Sequence, residues 1–118
     1  MSVSAAHGRA FYDECVREGC VWIVREVGGI PAPVNGSGRR AMPVWSLESR
    51  ARAVVSRSPE YAGFEVQRIE LDMFLGRWLP GIRKDALLVG LNWSGARATG
   101  YDVDPSEVER GIWQSQQM

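Results

Sequence analysis

Residues 86–93 read Ala-Leu-Leu-Val-Gly-Leu-Asn-Trp, the most apolar run in the chain. Eight residues suit a strand better than a helix, and a run without polar alternation belongs to a strand covered on both faces. ALLVGLNW is therefore read as the central strand of a sheet. Moving toward the C-terminus, SGARATG is a turn region and GYDVD a short final strand. Asp104 then has the chemistry of an N-cap, with Pro105 at the first helical position and Glu107 at the third. The closing QSQQM is expected to fray. Moving toward the N-terminus, Asp72 is placed to cap a helix whose apolar stripe is Leu75, Trp78, Leu79 and Ile82, and Pro80 predicts a kink or break within it. FEVQRIEL before it reads as a strand, but Phe64 and Val66 fall on one face and Ile69 and Leu71 on the other, so a bulge near Gln67 or Arg68 is expected.

The first half completes the pattern. Ser4 can cap a helix to about Glu18, with Phe11 and Cys15 on one face, Tyr12 and Val16 beside them, and Gly19 at the left-handed stop position. CVWIVREV is a strand whose alternate faces, Val21 and Ile23 against Trp22 and Val24, are both apolar at one end. GGIPAPVNGSGRR is a long connection with a turn signal at NGSG, leading into the short strand MPVWS. Pro43 puts that strand at an edge, or else faces away from a ladder partner. Ser46 is expected to cap a helix running to Arg57, with Leu47, Ala51, Val54 and Val55 inward and Arg50, Arg52 and Arg57 outward. The order is α-β-β-α-β-α-β-β-α. The expected class is α+β: a single mixed or antiparallel sheet of about five strands with helices mainly on one face. One domain spans 1–118, with loose ends at about 1–4 and 114–118.

Composition narrows the function classes. Of 118 residues, 45% are hydrophobic and 24% charged, which suits a globular core rather than a disordered or coiled-coil chain. Fourteen acids balance fourteen bases, so no bulk charge draws the chain to nucleic acid or an anionic membrane. No run approaches the ~18 apolar residues of a membrane span, and MSVSAAHGRAFYDE lacks a secretory signal's basic and apolar regions. The expectation is a cytoplasmic protein, with no nucleic-acid and no membrane partner. Cys15 and Cys20 read as free core thiols, since a Cys-x4-Cys pair lacks further zinc ligands and is not a redox motif. Thirteen arginines stand against the single Lys84; a GC-rich genome accounts for this bias more simply than phosphate recognition does.

Catalytic chemistry has few carriers. His7 is the one imidazole and lies near the amino terminus. NGSGRR leads into a strand, not into a helix N-terminus, so it is not a phosphate loop. No catalytic residue, metal or cofactor is expected. An enzyme would have to gather two or more of Glu65, Glu70, Asp72 and Asp102 into a hydrolase or transferase site. The other resource is tryptophan. Trp22 and Trp78 sit in apolar patterns and belong to the core, while Trp45 and Trp93 fall where strands meet loops. Each of these two either anchors a partner or closes the core, donating its indole N–H to a loop carbonyl. The candidate binding residues are Trp45, Asn92 and Trp93, with Arg39 and Arg40 as an electrostatic flank.

Several of these segments together carry a resemblance. VW in the first strand, MPVWSLESRA, IELDMFLGRWLPGIRKD, LLVGLNW and GYDVDPSEV resemble the bacterial family called domain of unknown function 2750, over about Phe11 to Ile112. The resemblance implies a small bacterial protein of a family with no established activity, and it brings no catalytic residues. MPVWSLESRA is also similar to a segment of the serine-sensitivity enhancer protein family, which would imply an α+β module in secretion-related or protein-binding roles. The favoured expectation is a non-enzymatic module that binds an unknown protein partner, an immunity protein being one concrete form. A homodimer through an edge strand, MPVW being the candidate, is a further expectation.

Overall fold

The computed structural model describes residues 3–95 and 99–118, without the side chains of residues 3–7 and 99; the expected Ser4 cap, the His7 side chain and residues 96–98 of the expected turn region lie outside the described residues. The run at 86–93 supplies β4 (Leu88–Ser94), the middle strand of a three-stranded ladder. On one side β4 pairs in parallel with β2 (Ala41–Val44), and on the other it runs antiparallel to β5 (Thr99–Val103). A second ladder joins β1 (Cys20–Arg25) antiparallel to β3 (Glu65–Glu70), from Cys20↔Glu70 to Arg25↔Glu65. The expected single mixed sheet is thus two ladders, and a bridge between Trp22 and Trp45 links them. Its two backbone N–H···O bonds measure 2.7 and 2.8 Å.

The pleat of these strands feeds two cores. Val21, Ile23, Val44, Val89, Leu91 and Val103 share one cluster with Phe11 and Cys15 of α1 (Val3–Glu18) and with Val108 and Ile112 of α5 (Pro105–Gln116). Leu71 of α3 (Leu71–Met73) and Leu79 and Ile82 of α4 (Leu79–Lys84) complete that side. Val24, Ala41, Trp45, Leu88 and Trp93 form the second cluster with Ala51 and Val54 of α2 (Glu48–Arg57) and with Tyr61 of the 3-10 turn Pro59–Tyr61. Most helices therefore lie over one face, as expected, and α2 alone covers the other.

Several local expectations need correction. The β1–β3 register runs without interruption, so there is no bulge at Gln67 or Arg68. Ile69 serves one core and Val66 the other, which is why the strand changes face. The bulge lies on β4 instead. Leu91 pairs with Tyr101 and Ser94 with Thr99, three steps on one strand against two on its neighbour. MPVW is not an open edge: Trp45 bonds β1, and β4 lies along the other side. Pro43 fits because the N–H groups of Ala41 and Trp45, two residues either side, point away from β4, toward Pro33 and Trp22. Its missing donor falls on that same side. β2 ends its own three-stranded ladder, but across the Trp22–Trp45 bridge the outer strands are β3 and β5.

The helix starts differ too. Asp72 accepts from the N–H of Met73, inside the first turn, and α3 begins after Glu70 with no side-chain cap. Pro80 does not break the helix. A π-helical segment, Phe74–Trp78, precedes it and runs directly into α4. A proline ring collides with the carbonyl four residues back in a regular α-helix, and the wider π turn relieves that crowding. It also resets the phase, so Phe74 and Leu79, five apart, are both fully buried. At the far end, α5 continues to Gln116 where fraying was expected, and the Ser115 hydroxyl donates to Asp13 of α1 at 2.8 Å. The Asp104 cap is as read: its carboxylate accepts from the Ser106 N–H at 2.9 Å, and Pro105 opens the helix. Gly19 ends α1 at φ 71°, donating its N–H to the Cys15 carbonyl.

Candidate functional site

The bulge on β4 organises the polar centre of the molecule. Asn92 sits at φ 52°, a left-handed conformation that asparagine tolerates better than other non-glycine residues. The extra residue inverts the alternation, so Trp93 lies on the same side as Leu88 and not with Val89 and Leu91. Its indole lies flat over two glycines. A Cβ on Gly90 would collide with the Trp93 ring, and one on Gly100 would sit 2.8 Å from the ring's Cδ1. Glycine in a strand often marks such a close approach. The Trp93 indole N–H donates to Asp102 Oδ1 at 2.8 Å. Asp102 Oδ2 accepts from Asn35 Nδ2 at 2.9 Å, which ties the NGSG turn to the same carboxylate. Asn35 also folds that turn, its Oδ1 accepting from the N–H groups of Ser37 and Arg39.

Ser46 was expected to cap α2, but α2 starts after Leu47 without a side-chain cap. Ser46 is fully buried and meets Asn92 and Glu14 instead. Its N–H donates to Asn92 Oδ1 and its Oγ accepts from Asn92 Nδ2, both at 3.0 Å. The hydroxyl proton is then free to go to Glu14 Oε1, 2.7 Å away. The other oxygen of Glu14 accepts from Arg50 Nη2 at 2.8 Å. α1, β2, α2 and β4 are thereby joined through one carboxylate, one hydroxyl, one amide and one guanidinium. Each buried polar side chain of this network has a partner, as a low-dielectric interior requires.

Above this network lies a cleft of about 270 Å3. Arg50, Ala53, Val54 and Arg57 of α2 form one wall, and residues Asn92 to Gly95 at the end of β4 form the other. Asn92 and Trp93, read from the sequence as binding residues, line it; Trp45, Arg39 and Arg40 do not. Trp45 is fully buried and Trp93 nearly so, so neither presents an exposed ring. Trp45 donates its indole N–H to the Trp93 carbonyl at 2.7 Å, closing the core as the second of the two readings has it. Arg39 and Arg40 are exposed on the connection before β2, where Arg40 donates to the Ala32 carbonyl. Glu14, Ser46 and Arg50 were missed as a site by sequence reasoning. A serine at the start of a helix reads locally as a cap, and its true partners lie 32 and 46 residues away.

Other chemistry is dispersed. Glu65 and Glu70 stand at opposite ends of β3, Asp72 is exposed on α3, and Asp102 is on β5, the outer strand of the other ladder. Arg68 holds the Glu70 carboxyl below its usual range through a direct hydrogen bond. Burial pushes the Cys15 thiol up to about 12, and Cys20 also rises by burial, so both remain protonated thiols at neutral pH. Among the described residues no group of three or more His, Cys, Asp or Glu side chains could hold a metal ion. None of the described helices is long and apolar enough to cross a membrane. Among curated proteins none matches the chain. The model of one family, described as Protein of unknown function (DUF2750), matches residues 9–112 of the 118, and the chain belongs to that family.

Proposed function

We propose that the domain is a non-enzymatic protein-binding module whose partner seats in the cleft between α2 and the end of β4. The observation that carries this reading is the bulge at Asn92. A buried residue is held at positive φ, and its side chain is locked onto Ser46. Bulges and strained backbone concentrate where a fold re-aims groups for recognition. Here the bulge turns Trp93 inward and leaves Ser94 and Gly95 exposed across from Arg50 and Arg57. The potential nucleophile beneath, the Ser46 hydroxyl, has no exposure and is fully engaged by Glu14 and Asn92. That arrangement suits recognition rather than turnover. Whether the process is immunity or secretion follows from the partner.

Ala53→Trp tests the reading, because Ala53 lines the cleft without belonging to the core clusters. The wild-type domain and the variant would each be immobilised and exposed to native lysate, and the retained proteins compared. A protein retained by wild type and lost with Ala53→Trp, at unchanged thermal stability, supports the cleft. The same proteins retained by both would refute it.

A further inference from the structure

We propose that this cleft recognises a pair of carboxylates on an acidic, extended segment of the partner, and that Glu14 is an internal competitor for one of the two arginines. The inference rests on the protein-binding reading and names the partner's chemistry. Arg50 and Arg57 are seven residues apart on α2, about two turns, so they lie on one side of the helix roughly 10 Å apart along its axis. Ala53 and Val54 lie between them. The wall is therefore two guanidiniums bracketing a small apolar strip. Among the described residues, no acidic side chain lines the cleft.

Arg57 has no carboxylate within 4.0 Å among the described residues, so its charge is uncompensated. Arg50 already shows what it selects: one of its nitrogens donates to Glu14 at 2.8 Å. A guanidinium carries five N–H donors and binds carboxylates in a two-pronged fork, so one bond leaves most of that capacity open. Glu14 is the better shielded partner, its side chain 16% exposed against 38% for Arg50. An incoming carboxylate must share Arg50 with it or displace it. In a polyproline II segment, residues three apart face the same way and are about 9 Å apart, close to the spacing of the two arginines. Glu-x-x-Glu in such a segment fits.

Two ten-residue peptides carrying Glu-Pro-Pro-Glu or Gln-Pro-Pro-Gln between Gly-Ser flanks test this, titrated into the full chain and followed by NMR shifts of Ala53 and Ser94. The Glu peptide should bind at least about tenfold more tightly than the Gln peptide, and more weakly as salt rises. Arg57→Gln should lower its affinity several-fold. Glu14→Gln, which keeps an acceptor for Ser46 but removes the competing charge, should raise it. Glu14→Asp, a shorter competitor, provides the second arm if the amide variant does not fold, and should also raise it. Equal binding of both peptides would overturn the carboxylate assignment while leaving the cleft itself in place. Absence of binding at millimolar peptide would overturn it as well, and the Ala53→Trp capture would still decide the parent reading separately. Unchanged or weaker binding to the folded Glu14 variants would overturn the role given to Glu14.

Discussion

Replacing Asn92 separates the two contributions of the bulge, its side-chain clamp and its backbone conformation. Asn92→Gly removes the amide that pairs with the Ser46 N–H and Oγ but leaves φ 52° unstrained. Each bond contributes about 1 kcal/mol net, and a buried N–H left without a partner costs about 1–3 kcal/mol, so the loss should be ~2–4 kcal/mol. Asn92→Ala loses the same bonds and also places a Cβ in the left-handed region, at a cost of ~1–2 kcal/mol. Glycine gains more entropy on unfolding, which offsets ~0.4–1 kcal/mol of that difference. The alanine variant should therefore be the less stable of the two, by about 0–1.6 kcal/mol. With these backbone contributions the losses are ~2.4–5 kcal/mol for glycine and ~3–6 kcal/mol for alanine, overlapping only the lower end of the ~5–15 kcal/mol typical of a domain, so both variants should fold in a domain of middling stability. Urea unfolding followed by tryptophan fluorescence reads the differences, with midpoints compared at a common slope. An alanine variant more stable than the glycine variant would refute the backbone strain. A glycine variant as stable as wild type would refute the clamp.

Gly111→Ala brings a Cβ into steric collision with the ring of Tyr12, where α5 crosses α1. It should lower stability by ~1–3 kcal/mol by overpacking, and Tyr12→Leu should partly rescue it in a double-mutant cycle. Asp104→Ala should cost ~1 kcal/mol through loss of the α5 cap, whereas Asp104→Asn should cost little, as urea midpoints would show. Ser58, buried at the end of α2, has a hydroxyl with no hydrogen-bond partner among the described residues. Ser58→Ala should therefore be neutral or stabilising by up to ~1 kcal/mol, and a clear loss would show that the hydroxyl is satisfied. Burial raises Tyr12 from 10.0 to about 12 and Cys15 from 9.0 to about 12. The folded state then holds these protons where the unfolded chain has released them, so stability should be intact below pH 9 and fall progressively from pH 9 to 12. Tyr12→Phe and Cys15→Ala should each flatten that fall in a pH series of thermal melts.

The parts of this fold legible in the sequence are those fixed by neighbours in the chain. Asp104, Pro105 and Glu107 mark the start of α5 within four residues, and Gly19 marks the end of α1, because caps are local geometry. The alternation of β1 likewise foretold burial on both faces, and the run at 86–93 foretold β4. What stayed hidden depends on distant partners. Whether Ser46 caps a helix or meets Glu14 is decided by where α1 lies, and whether β3 or β4 carries the bulge is decided by register against β1 and β5. Signals for the site were nevertheless present. Asn92 is the polar interruption in the most apolar strand, of a type that accepts positive φ. Gly90 and Gly100 flank Trp93 with two positions that leave room for an indole. Arg50 and Arg57 were read correctly as outward on α2, but nothing local shows that they border a cleft.

The seam between the two ladders has a mechanical consequence. Rungs in a continuous sheet share a load, whereas here, among the described residues, only Trp22 of β1 and Trp45 just past β2 exchange main-chain bonds across the joint. Val24 and Trp45 also meet under α2 in the smaller core, so that helix acts as a splint across the joint. A tug on α2 from a bound partner would be felt first at those two tryptophans, and deuterium uptake at their amides would be its gauge.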